Sequence, residues 1–137
     1  MSSLHSGSCL CGDVAFTLSS DLAPVSCCHC TQCRKATGHY LASTETAADT
    51  LSFTSDSSLK WYQSSDYAKR GFCGNCGSTL FWRVIGSRDI SIAVGSLTSP
   101  TGLKTARHIF TADKGGYYQT PDDAPCFATF PGASGAL

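Results

Sequence analysis

Charge is the first thing this sequence is short of. Asp, Glu, Lys and Arg make up 15% of its 137 residues, against about 25% in an average soluble protein. Ten basic residues balance ten acidic ones, so no global field draws the chain to nucleic acid or to an anionic membrane. Long apolar runs are missing too, which excludes a membrane-spanning helix. The opening residues, MSSLHSGS, lack the basic-then-apolar profile of a secretory signal. A cytoplasmic, reducing location is the expectation. Ser, Thr and Gly occupy the places charge leaves vacant, which suits short strands and turns better than long solvated helices. The length predicts a single domain over residues 1–137, with its core at about 7–130.

Cysteine, by contrast, is plentiful: nine residues, four of them in the stretch SCCHCTQCRKATG from Ser26 to Gly38. Disulfide frameworks belong to oxidising compartments, and this density inside a cell points to metal. The spacing agrees. Cys9 and Cys11 are separated by one residue and Cys27 and Cys28 by none, so bridges within those pairs would close small, strained rings. An odd total also leaves one thiol over in any all-disulfide scheme.

Period-two alternation runs through most of the chain. Val14, Phe16 and Leu18 share a face in DVAFTL, Leu51 and Phe53 repeat the pattern, and so do Leu59 and Trp61 in LKWYQ. STLFWRVI and ISIAVGSL are richer in apolar residues and read as interior strands. The convincing helical piece is QCRKAT, with Thr31 placed to cap it and Gly38 to end it. The prediction is an all-β fold with little helix.

GSCLCGDVAFTL and GFCGNCGSTLFWRV share one design: a cysteine pair ends in Cys-Gly and leads into a strand. Cys73-x-x-Cys76-Gly77 has zinc-knuckle spacing, in which a tight turn aims both sulfurs at one point and glycine accepts a left-handed backbone. Cys9 and Cys11, two apart on an extended segment, would project to the same side. Together Cys9, Cys11, Cys73 and Cys76 are expected to make a four-thiolate, coordinatively closed site that would pin two strand starts together, against the alternative of two independent buried thiol pairs.

The third cluster has Arg34 and Lys35, not glycine, after its last cysteine. Two registers compete, Cys27-x-x-Cys30-x-x-Cys33 and Cys28-x-Cys30-x-x-Cys33. On an extended segment Cys28 and Cys30 face one way while Cys27 and His29 face the other. Cys33 then arrives from the first turn of the helix, where the helix N-terminus favours a thiolate. Three protein ligands and an open position is the arrangement of catalytic zinc. Cys27, His29 or Cys126 could instead close the site with a fourth ligand.

These motifs resemble the glutathione-dependent formaldehyde-activating enzyme family, which includes the centromere protein V group. The matching features are Gly7-x-Cys9-x-Cys11-Gly12, Cys28-His29-Cys30-x-x-Cys33-Arg34-Lys35-x-x-Gly38, Arg70-x-Phe72-Cys73-x-x-Cys76-Gly77, and RHIFTADK from Arg107 to Lys114. The resemblance implies a β-tent fold of antiparallel sheets and two Zn2+ ions per chain. It places a structural zinc on Cys9, Cys11, Cys73 and Cys76 and a catalytic zinc on Cys28, Cys30 and Cys33, leaving Cys27 and Cys126 outside. The implied activity is that of a carbon–sulfur lyase, joining a small thiol (glutathione) to an aldehyde (formaldehyde) to give S-hydroxymethylglutathione, or reversing that step.

Coordination to zinc deprotonates a thiol outright, so a thiol held at the open position would attack the aldehyde carbon as a thiolate. Arg34 and Lys35 are the candidates for a substrate carboxylate. His108 is a candidate proton shuttle, against a core histidine satisfied by a backbone carbonyl. His39 has no partner apparent from sequence, and Arg70 reads as structural. Trp61, Trp82, Tyr117 and Tyr118 are pocket-wall or core aromatics. The competing reading is a non-catalytic zinc scaffold that binds a protein partner; it predicts two closed sites where the enzyme reading predicts one open to added thiol. Neither reading involves nucleic acid or a membrane.

Overall fold

The computed structural model describes residues 4–131. Within them, strands carry the fold: β1 (His5–Ser8), β2 (Ala15–Leu18), β3 (Val25–Cys28), β4 (Leu41–Ala47), β5 (Leu51–Ser55), β6 (Leu59–Gln63), β7 (Ala68–Cys73), β8 (Thr79–Val84), β9 (Asp89–Ala93) and β10 (Thr105–Ile109). An α-helix, α1, covers Thr31–Thr37. The fold is all-β with little helix, as the period-two patterning predicts. No helix of the described residues is long and apolar enough to cross a membrane. The chain forms two compact units.

The first unit takes the residues up to Ala23 together with Thr44–Gly102. Here β1, β2 and β5 make an antiparallel sheet with β2 in the middle. β6 to β9 form a meander, each strand antiparallel to the next. The alternation of DVAFTL becomes burial: Val14, Phe16 and Leu18 are at most 1% exposed, and each such side chain contributes roughly 1.5–3 kcal/mol. Phe16 meets the Phe81 ring edge-on at 5.3 Å. β8 is paired on both sides, as the apolar STLFWRVI predicts. ISIAVGSL yields a shorter strand than expected, because the chain leaves β9 for a 3-10 turn over Val94–Ser96, at Gly95. Gly7 allows the closest approach in this unit. A Cβ there would lie 2.5 Å from Phe16 Cζ and 2.7 Å from the Ser96 carbonyl.

The second unit takes Pro24–Ser43 and the chain from Leu103 onward. β3 lies between β4 and β10. Its partner β4 is antiparallel, whereas β10 runs parallel to it, pairing His108 with Cys27 and Ile109 with Cys28. The expectation of antiparallel sheets therefore meets an exception here. Alternation along β3 buries Val25 and Cys27 and continues to His29. With His108, Ile109, Cys33 and Leu41, these form a small core that contains two fully buried imidazoles.

Two candidate metal centres

In the first unit, two glycine-ended turns bring four sulfurs together. After β1 the chain turns at Cys9, closed by the Gly12 N–H on the Cys9 carbonyl at 3.3 Å. After β7 an equivalent turn closes with Gly77 N–H on Cys73 O at 2.8 Å. Both glycines are left-handed, at φ 87° and 81°, a backbone conformation in which a Cβ would be strained. Cys9 and Cys11 meet through this turn, where the sequence suggested an extended segment. The sulfurs of Cys9, Cys11, Cys73 and Cys76 all lie within 4.8 Å of one another.

The donor chemistry fits a metal ion. Cys9 and Cys11 sulfurs are 3.6 Å apart, and Cys11 and Cys73 sulfurs 3.8 Å. A tetrahedral ion with zinc–sulfur bonds of about 2.3 Å spaces its ligands by about 3.8 Å. All nine cysteines are free thiols. Amide N–H groups point at the sulfurs: Val14 at Cys9 (3.3 Å), and Asn75 and Cys76 at Cys73 (both 3.4 Å). The Asn75 side chain donates to Cys11 at 3.3 Å.

These thiols are driven apart in acidity. The Ser78 hydroxyl and nearby N–H groups pull Cys76 down to about 5. Cys9 is also lowered: burial opposes this, but the Val14 N–H and the neighbouring sulfurs outweigh it. For Cys11 the Asp13 N–H and the Asn75 amide act downward, yet desolvation and the neighbouring thiols push it up to about 11. Four adjacent sulfurs cannot all carry charge without a cation among them.

In the second unit, three sulfurs come from one short stretch. Cys28 ends β3, Cys30 lies just beyond it, and Cys33 is on α1. Their sulfurs also lie within 4.8 Å of one another. Cys30, at φ −64° and ψ 160°, is the helix N-cap, and its sulfur accepts the Cys33 N–H at 3.3 Å. Thr31, the cap expected from sequence, is already the first helical residue, because the Cys30 side chain one position earlier takes the cap. Gly38 ends the helix as expected, left-handed, with its N–H on Arg34 O. The Cys30 and Cys33 thiols, together with burial, push the Cys28 thiol far up, the same mutual repulsion of clustered sulfur charge.

The candidates for a fourth ligand have other partners. Both ring nitrogens of His29 are engaged, Nδ1 with the Tyr118 hydroxyl at 2.5 Å and Nε2 with His108 Nδ1 at 2.8 Å. Cys27 faces the buried side with its thiol pushed up to about 11 by desolvation. The Cys126 sulfur is exposed and lies 3.6 Å from Ala124 O. Among the described residues, no other His, Cys, Asp or Glu joins the trio.

Next to Cys33, Arg34 is half-buried, with its Nε buried and lacking a hydrogen-bond partner, while Lys35 is exposed. Arg70 is buried within β7. His108 is not satisfied by a carbonyl at its ring; it bonds His29 and, through Nε2, the Asp122 carboxylate at 3.0 Å. His39 does have a partner, the Tyr117 hydroxyl at 3.1 Å. Trp61 and Tyr117 stand 37% and 62% exposed, so neither is core. Asp122 and Tyr118 as partners of the histidines went unforeseen, since only their proximity in space connects them.

The family model described as glutathione-dependent formaldehyde-activating enzyme matches residues 4–113. An uncharacterized lyase of Schizosaccharomyces pombe is 33% identical over 79 residues, covering 57% of this chain and 56% of that protein. The chain thus spans little more than half the length of that curated relative. The crystal structure of a Rhodobacter sphaeroides protein shares the fold, with a TM-score of 0.58 at 21% identity over 88% of this chain and 98% of that one.

Proposed function

Since the chain belongs to the glutathione-dependent formaldehyde-activating enzyme family, we propose that it is a zinc-dependent carbon–sulfur lyase that forms or cleaves a thiol–aldehyde adduct. The observation that carries this reading is the convergence of Cys28, Cys30 and Cys33 while His29, Cys27 and Cys126 are otherwise engaged. That leaves a three-ligand set, the donor count of catalytic zinc. The quartet Cys9, Cys11, Cys73 and Cys76 is the structural counterpart, with no position left for substrate.

In the forming direction a thiol S–H is lost, a sulfur–carbon bond is made, and the aldehyde oxygen gains the proton to become a hydroxyl. Zinc on the trio would supply Lewis acidity and favour the thiolate form of the substrate thiol. The chain's own residues do the rest. Cys30 both caps α1 and turns its sulfur toward Cys28 and Cys33, so the helix start and the ligand set are one construction. Arg34, beside Cys33 with its Nε unpartnered, and Lys35 on the same helix would hold a carboxylate of the thiol substrate, glutathione or a similar small thiol. Formaldehyde is the aldehyde this family points to. The whole chain, 1–137, would act as one domain in the cytoplasm, with no nucleic-acid or membrane partner.

The test is metal content together with exchange between free and adduct formaldehyde in a glutathione solution, followed by 13C NMR. Two zinc ions per chain and an exchange rate raised by the wild-type protein are expected, with Cys30→Ser losing one zinc and the acceleration. Two tightly held ions with no effect on exchange would reject the enzyme reading in favour of the scaffold.

A further inference from the structure

Behind the trio lies a chain of side chains that the reaction just described does not use. Asp122 Oδ1 meets His108 Nε2 at 3.0 Å, His108 Nδ1 meets His29 Nε2 at 2.8 Å, and His29 Nδ1 meets the Tyr118 hydroxyl at 2.5 Å. The two imidazoles are fully buried, while the Asp122 side chain is 38% exposed. Such a chain has a direction. A carboxylate only accepts, so His108 carries its hydrogen on Nε2. An imidazole that carries its single hydrogen on Nε2 accepts at Nδ1. His29 therefore donates from Nε2 and accepts at Nδ1, where the Tyr118 O–H supplies the hydrogen. One acidic group at the surface end sets the tautomer of two buried rings.

His29 is the residue between Cys28 and Cys30. Its ring is held at both nitrogens, Tyr40 packs against its face with centroids 4.6 Å apart, and its N–H bonds Ile109 O at 3.0 Å. The far end of the chain is fixed as well. Asp122 accepts the Ala124 N–H at 2.9 Å, and His108 N–H bonds Pro125 O at 2.8 Å. Lys114 Nζ donates to the Tyr118 carbonyl and sits over its ring. The first unit's cysteine sulfurs are oriented by amides in their own turns.

We propose that Asp122 is a positioning residue for the three-cysteine centre: by setting the polarity of the Asp122–His108–His29–Tyr118 chain, it holds His29 fixed and so presets the sulfurs on either side of it. Groups that hydrogen-bond a ligand directly typically change metal affinity by about 10–100-fold; this chain acts through the backbone of His29, which places its effect at the low end of that range. The inference rests on the reading of the trio as a metal centre.

Cobalt titration of the apo full-length chain tests it, because thiolate-to-cobalt absorption reports each site and the four-cysteine site serves as an internal control. Asp122→Ala is expected to weaken the second site about 10-fold and leave the first unchanged. Asp122→Asn keeps an oxygen acceptor for His108 and should recover most of the loss. In long-range 1H–15N spectra, wild-type His29 and His108 should both show the Nε2–H tautomer, with that preference lost in Asp122→Ala. Second-site affinity within about two-fold of wild type in Asp122→Ala, or an equal loss at both sites, would overturn the inference. A wild-type chain that takes up a single ion would instead show the metal-centre reading itself to be wrong, before any variant is compared.

Discussion

The two cysteine clusters differ in how much of the chain must fold before they exist. The quartet needs the turn after β1 and the turn after β7, so Cys11 and Cys73 meet across 62 positions of sequence. The trio is complete between Cys28 and Cys33, one strand end and one helical turn. An ion in the quartet therefore closes a long loop and becomes part of the folding free energy. An ion in the trio closes almost nothing. The same element on the same ligand type would hold the first unit together in one place and be free to leave in the other. On the proposed reading, loop length and donor count would separate structure from chemistry, since both sites are built of cysteine.

That contrast can be broken in stages. Cys73→Ser strikes hardest: the side chain is fully buried and takes two amide hydrogen bonds. We expect a thermal midpoint lower by more than about 10 °C, or no folded protein at all, read by calorimetry. Cys30→Ser should cost at least about 100-fold in adduct exchange while moving the midpoint by less than about 3 °C. Serine is a good N-cap and its hydroxyl can take over the Cys33 N–H, so α1 survives the loss of the sulfur. A collapse of stability in Cys30→Ser as large as in Cys73→Ser would erase the distinction.

A smaller effect comes from Gly7→Ala. The new methyl would press on Phe16 and the Ser96 carbonyl, and overpacking of this kind costs about 1–3 kcal/mol, measurable as a lower urea midpoint. Second-site metal affinity should stay at the wild-type value, because the strain lies in the first unit. The mildest probe is thiol alkylation at pH 8 of the metal-loaded protein. Exposed Cys126 should react first, while Cys27, buried and with its thiol pushed up to about 11 by desolvation, should stay unmodified until the chain unfolds. Rapid labelling of Cys27 would show that the second unit opens readily.

Much of the fold was readable because alternation maps directly onto burial. Val14, Phe16 and Leu18 went where their period sent them, and both Cys-Gly turns adopted the left-handed glycine the spacing called for. Readings failed where a side chain had a choice of partner. Thr31 is a sound cap by residue type, yet Cys30 holds the position, its sulfur accepting the Cys33 N–H. His39 and His108 found partners in Tyr117, His29 and Asp122, none of which any local pattern connects to them. The parallel pairing of β10 with β3 was equally invisible, since alternation reports a strand's faces and not its neighbour's direction.

The order of the residues was enough to pick out Cys9, Cys11, Cys73 and Cys76 as sulfurs that could share an ion, because ligand spacing and left-handed glycines are properties of a few consecutive positions; in the second cluster it left Cys27 and Cys28 in competition. Tertiary structure decided that His29 is not offered to the second cluster. It did so by giving His29 two ring partners, 79 and 89 positions away. A neutral imidazole with both nitrogens hydrogen-bonded has no lone pair left to offer a metal.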